Sequence, residues 1–114
     1  MVPPSKGTAG VHCLYHYVVV RADLPRGLQT AQVIHAAGES SPGNIPSGTH
    51  AVCLVVPGEK ELEELETRLR RAGIKHTTIV ENDAPYTAQR TAIGFPPSGK
   101  GVLRKFLSAL PLLK

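Results

Sequence analysis

The stretch Leu14-Tyr15-His16-Tyr17-Val18-Val19-Val20-Arg21 decides the fold. Its β-branched and aromatic residues favour a pleated strand. Alternate residues of a strand point to opposite faces, so three consecutive valines place apolar groups on both. That pattern suits a strand buried on both sides, in the middle of a layered α/β sheet. Asp23-Leu24-Pro25-Arg26-Gly27 then supplies turn chemistry. A helix is predicted from about Leu28 to Ala37, ending near Gly38.

Further along, residues 38–49 are rich in Ser, Pro, Gly and Asn, a long loop for so small a chain. Ala51 to Val56 is a second apolar run, closed by Pro57-Gly58. The next element is the clearest helix. Leu62, Leu65 and Leu69 recur at helical spacing, and Glu64–Arg68 and Glu66–Arg70 set acid before base at i, i+4. Its first turn is acidic and its last basic, which complements the helix dipole, and Gly73 marks the stop. Strands are predicted at Lys75–Val80 and Thr91–Phe95, joined by the polar stretch Glu81–Arg90. After Pro96-Pro97 a last helix is expected from about Gly99 to Leu110, with Val102, Phe106 and Leu110 on one face. The order β-α-β-α-β-β-α predicts a single three-layer α/β domain over residues 13–114. Its four-stranded mixed sheet is flanked by helices and includes a βαβ crossover. Residues 1–12, with two prolines, one Lys and no apolar core, read as a flexible tail and not as a secretory signal.

Composition narrows the function classes. A chain of 114 residues, 41% of them hydrophobic, holds one domain and can bury a core without disulfides or metal. Its longest apolar runs fall far short of the ~20 residues that a bilayer requires. Cys13 and Cys53 lie 40 positions apart. Metal sites cluster their ligands and redox pairs are closely spaced, so these read as two reduced, buried thiols in a cytoplasmic protein, with no cofactor. The net charge is +4, but Glu59–Glu66 holds five Glu and one Lys, a local −4, which leaves +8 on the rest. A basic body beside one acidic helix suits a polyanionic partner.

Two clusters could carry chemistry. Leu28, Gln32 and His35 fall on one side of the first predicted helix, which starts at the carboxyl end of a central strand. In open α/β sheets ligands favour that edge, where orphan helical N–H groups attract anions. The commoner alternative is that Gln32 and His35 simply face solvent. The second cluster is Glu81-Asn82-Asp83-Ala84-Pro85-Tyr86-Thr87 at the end of a strand. A carboxylate and a hydroxyl four positions apart could orient water or a ribose hydroxyl, or could form an ordinary capped turn.

Both clusters sit within motifs that resemble one family. Arg21-Ala22-Asp23-Leu24, then Gly27, then Ala31-Gln32-Val33-Ile34-His35-Ala36 is similar to the first motif of type 2 peptidyl-tRNA hydrolases. Asp83-Ala84-Pro85-Tyr86-Thr87 resembles that family's Asp-Ala-Gly-x-Thr, and Thr91 through Pro97 its following strand. The resemblance runs from about residue 14 to 114 in one element order. It implies a mixed sheet between helices, a homodimer, and metal-free cleavage of the ester that joins a nascent peptide to tRNA.

By that resemblance His35, Asp83, Gln32 and Thr87 are the candidate catalytic residues, with Asp83 or His35 acting as base towards water. Arg26, Arg68, Arg70, Arg71, Lys100, Arg104 and Lys105 are candidates for the tRNA backbone, with Leu28 and Arg90 beside the substrate. The chain also departs from the family pattern. Leu28 stands where the family has a lysine, Pro85 replaces the motif glycine, and the segment between Thr87 and Thr91 is about four residues shorter. Loss of a cation at the reacting centre removes transition-state stabilisation, so slow turnover is expected. Two readings outside catalysis stay open: an RNA-binding or protein-interaction module that keeps the fold, and a small-molecule regulatory βαβ domain.

Overall fold

Val18, Val19 and Val20 are 3%, 0% and 0% exposed because β1 (Leu14–Arg21) runs through the middle of the sheet. The computed structural model describes residues 13–114, and the expected tail, residues 1–12, lies outside the described residues. Around β1 the chain adds α1 (Arg26–Ser40), β2 (His50–Val56), α2 (Glu59–Arg71), β3 (Thr77–Val80), β4 (Arg90–Gly94), β5 (Ser98–Gly99) and α3 (Arg104–Leu107). The strand order is β2-β1-β4-β3. Parallel pairing of β1 with β2 spans Tyr15–Arg21 against His50–Val56, while β4 pairs antiparallel with both β1 and β3.

Side-chain alternation along β1 divides the core in two. Val19 faces Leu62, Leu65 and Leu69 of α2, together with Leu103 and Leu107. Val18 and Val20 face Leu24, Ala36, Ile79 and Ala92 on the α1 side. One helix therefore covers one face and two cover the other, giving the expected mixed α/β domain in three layers.

Four expectations need correction, the first being the burial of both thiols: Cys13 is exposed, and Cys53 is only partly buried. The sheet has five strands, because Ser98–Gly99 pairs antiparallel with Leu14–Tyr15 beyond the end of β4. The first helix starts at Arg26 and continues through Gly38 to Ser40. The last helix, expected over Gly99–Leu110, contains only the four residues Arg104–Leu107. Gly101 lies at φ +84, a left-handed conformation that interrupts any helix begun before it. The surrounding segment is a chain of turns instead, such as Val102 N–H to the Gly99 carbonyl and Leu110 N–H to the Leu107 carbonyl.

Helix α1 lies unusually close to the sheet. A Cβ on Gly94 of β4 would sit 2.3 Å from the Ala36 carbonyl oxygen and 2.7 Å from Ser40 Oγ, so only glycine fits. Beyond the other edge of β1, the C-terminal residues Pro111–Leu113 lie along β2. Val55 donates to the Pro111 carbonyl, Leu113 donates to that of Cys53, and Leu54 and Leu112 form a bridge.

Candidate active site

The close approach of α1 to β4 brings Gln32 down onto the end of the sheet. Gln32 is 4% exposed, so both ends of its amide require partners. Its Oε1 accepts from the Thr91 hydroxyl at 2.7 Å, and its Nε2 donates to Glu81 Oε2 at 3.2 Å. Thr91 is available because the β3–β4 ladder slips there. Ile79 pairs with Ala92 and Val80 with Arg90, leaving Thr91 as the extra residue of a β-bulge. Such a bulge re-aims a side chain, and here the hydroxyl turns from the α2 face towards α1. The other Glu81 oxygen, Oε1, accepts the Asn82 backbone N–H at 2.8 Å.

Gln32, Glu81 and Asn82 stand in the wall of a cavity of about 140 Å³, which His35, Glu39, Ile79 and Val80 complete. His35 and Glu39 are exposed at its rim, one helical turn apart. The cavity therefore presents an imidazole, two carboxylates and an oriented amide beside a sheet edge. That set can hold and polarise a small polar group or water.

A second polar cluster anchors the loop that follows β3. The Arg21 guanidinium, 4% exposed, bonds Asp23 at 2.9 and 3.0 Å, Gln89 Oε1 at 2.8 Å and the Arg90 carbonyl at 3.1 Å. Its carbon lies 5.6 Å from the Tyr86 ring centroid. The hydrogen bond from Arg21 holds the Asp23 carboxyl below the usual carboxylate range, and Asp23 in turn raises Arg21. One buried cation thus ties the β1–α1 turn to both ends of the 86–90 segment.

Residues 14–113 match the family described as Peptidyl-tRNA hydrolase PTH2. The chain belongs to that family. No curated protein matches it. A solved structure of a protein of unknown function from Agrobacterium tumefaciens strain C58 shares the fold. It has a TM-score of 0.57 and 16% identity, and covers 89% of this chain and 98% of its own.

Against the peptidyl-tRNA hydrolase motifs, the structure places the expected residues unevenly. Gln32 and His35 share the cavity. Asp83 and Thr87 are exposed further along the loop that follows β3, and the cavity lining stops at Asn82. Leu28 is half-buried and packs, with Tyr86, against the apolar cluster under α1. Arg90 is occupied by α2, at 2.7 Å from Glu66 and 3.0 Å from Glu63. Of the expected backbone-binding cations, Arg26 is at the start of α1, whereas Arg68, Arg70, Arg71, Lys100, Arg104 and Lys105 belong to the layer across the sheet.

Glu39, Glu81, Thr91 and Arg21 belong to these clusters but were not among the site residues expected from sequence. Arg21 opens the first family-like motif and Glu81 opens the polar cluster that leads into the second, which was a usable signal. Thr91 heads the stretch similar to the family's following strand, but its role depends on a bulge that no local pattern marks.

Proposed function

We propose that the chain hydrolyses the ester between a peptide and tRNA at the Gln32–His35 end of α1. Water attacks the ester carbonyl carbon and the bond to the ribose oxygen breaks, giving a free peptide carboxylate and a free tRNA hydroxyl. His35 or Asp83 takes the proton from water, and Gln32 and Thr87 position the carbonyl or the ribose. The observation that carries this reading is the buried Gln32, whose amide is fixed from both ends by Thr91 and Glu81 at a cavity that His35 also lines. A fixed amide costs no reorganisation when charge develops beside it. The family supplies the substrate class, a tRNA ester. On the same reading the chain works as a homodimer in the cytoplasm, where peptidyl-tRNA arises. No helix of the described residues is long and apolar enough to cross a membrane.

The test is release of labelled peptide from a defined peptidyl-tRNA by purified protein in excess, so that even one slow turnover is counted. Release that is lost in His35→Ala and Asp83→Asn together supports the reading. No release at all rejects it.

A second reading has its own observation. Leu28, at the position of the family lysine, packs into the apolar cluster. A module that binds RNA or protein without turnover fits a site whose cation has become part of the core. Salt-dependent tRNA binding with no release in the same assay favours it.

A further inference from the structure

The layer opposite the candidate active site carries a surface that ester hydrolysis at α1 does not use. The short α3 leaves the β1–β2 end of the sheet only partly covered. A cavity of about 350 Å³ results, floored by Tyr17, Val52 and Leu54 and walled by Leu103, Leu107 and Leu110. Lys100 and Arg104 line it as well, and both are exposed. Next to it, Arg68 donates to the Lys105 carbonyl at 3.3 Å, which joins α2 to α3. The Arg68 guanidinium and the Lys105 ammonium lie 5.3 and 6.0 Å from the Phe106 ring centroid.

These cations gather on one face and differ from those the fold has already paired. Arg21, Arg70 and Arg90 each hold a carboxylate. Among the described residues no carboxylate lies within ion-pair distance of Arg68, Lys100, Arg104 or Lys105. Two unpaired cations that line one apolar cavity, and two more that flank the Phe106 ring of α3, ask for a partner with regularly spaced negative charge and flat apolar groups. The chain's own residues 1–12 do not answer that description, having one Lys and no acidic residue.

We propose that the α2–α3 face is a binding surface for single-stranded RNA, separate from the α1 cavity. Phosphates lie on Arg68, Lys100, Arg104 and Lys105, and unpaired bases enter the apolar cavity against Tyr17 or stack beside Phe106. Both contacts are sequence-tolerant, since every base has a π-face and every nucleotide a phosphate. The proposal shares its partner class with the hydrolase reading but not its site, and does not depend on turnover.

The experiment is fluorescence anisotropy with a labelled single-stranded RNA oligonucleotide, its duplex form and polyglutamate as competitor, at stepped salt. Four phosphates held on four cations give a log–log salt slope of about −3 for a single strand. The double variant Lys100→Glu/Arg104→Glu is expected to weaken binding at least ~10-fold, while Lys60→Glu on the acidic end of α2 changes it less than ~2-fold. Because the altered side chains are exposed, the fold should persist, as circular dichroism will show. Lys100→Gln/Arg104→Gln serves if the reversal does not fold. Equal loss in Lys60→Glu, or no loss in either double variant, overturns the proposal. So does duplex binding as tight as the single strand, or polyglutamate competing as well as RNA, the signature of an acidic protein or a second copy's acidic helix. A protein that binds RNA in this way and releases no peptide sinks the hydrolase reading and leaves this one standing.

Discussion

The Thr91 hydroxyl donates to Gln32 Oε1 at 2.7 Å, across 59 residues of chain and from strand to helix. Both groups are buried, and the bond fixes which end of the Gln32 amide faces the Glu81 carboxylate. Thr91→Val keeps the shape and removes the donor. It should cost about 1–3 kcal/mol, since Gln32 Oε1 is left without its partner. Thr91→Ser should recover most of that. Urea unfolding of the two variants measures it, and equal midpoints for valine and wild type would show that the bond contributes nothing.

Gly94→Ala should be the most damaging glycine-to-alanine change among the described residues. The new Cβ meets the Ala36 carbonyl at 2.3 Å, so α1 must lift or tilt. Overpacking of this kind costs about 1–3 kcal/mol, and occasionally more. Because Gln32 rides on the same helix, the Gln32–Thr91 contact should loosen too. Amide exchange along α1, compared with wild type, reports the lift directly.

Replacing Arg21 with Lys keeps the charge but loses the fork that holds Asp23, Gln89 and the Arg90 carbonyl together. A loss of about 1.5–3 kcal/mol is expected, the range for hydrogen bonds to charged groups. Faster backbone exchange should concentrate in residues 86–90. A uniform change over the whole chain would contradict the anchoring role.

Leu28→Lys tests the departure from the family pattern. A cation at a partly desolvated site is worth about 3 kcal/mol in a transition state, or ~100-fold in rate. Wild type is therefore expected to be slow on peptidyl-tRNA and the variant measurably faster. Since Leu28 packs against the apolar cluster, the lysine should also lower stability, although its stem can retain part of the contact. Brisk wild-type release, untouched by Leu28→Lys, would mean that another residue supplies the role.

Acidification should destabilise the fold in two stages. Burial pushes the His16 imidazole below its ordinary 6.5, so the unfolded chain binds the proton more readily. That contribution is complete above about pH 6.5 and is lost as pH falls through the folded value. Asp23, held down by its bond from Arg21, and Glu66 act in the ordinary carboxylate range. Burial of Glu66 works the other way, but bonds from Thr78 and Arg90 outweigh it and lower its value. Their contribution disappears as pH drops below about 4. Urea midpoints from about pH 8 to about pH 3 should fall at both stages. A midpoint that rises between neutral pH and about pH 5.5 would contradict this sign.

What could be read from sequence was whatever a local period or a steric rule controls. The triple valine placed β1, and the leucine spacing with graded charge placed α2. The last helix misled because Val102, Phe106 and Leu110 keep a helical period, while Gly101 in the left-handed region permits only one turn. At the site, motif spacing led to Gln32 and His35. It did not lead to Thr91, whose direction is set by a register slip between strands, nor to the layer occupied by each cation. Those are properties of tertiary pairing.

The bridged segment Pro111–Leu113 has a consequence for handling the protein. Where β2 would otherwise present a row of free N–H and C=O groups, Pro111–Leu113 occupies Cys53–Val55 as a built-in stopper against sheet-to-sheet growth. A proline opens that segment, so the stopper itself offers one donor fewer to a further strand. Cutting the chain before Pro111 would uncork an apolar edge, and the shortened protein should precipitate or form chains of molecules at concentrations where the full chain stays dispersed.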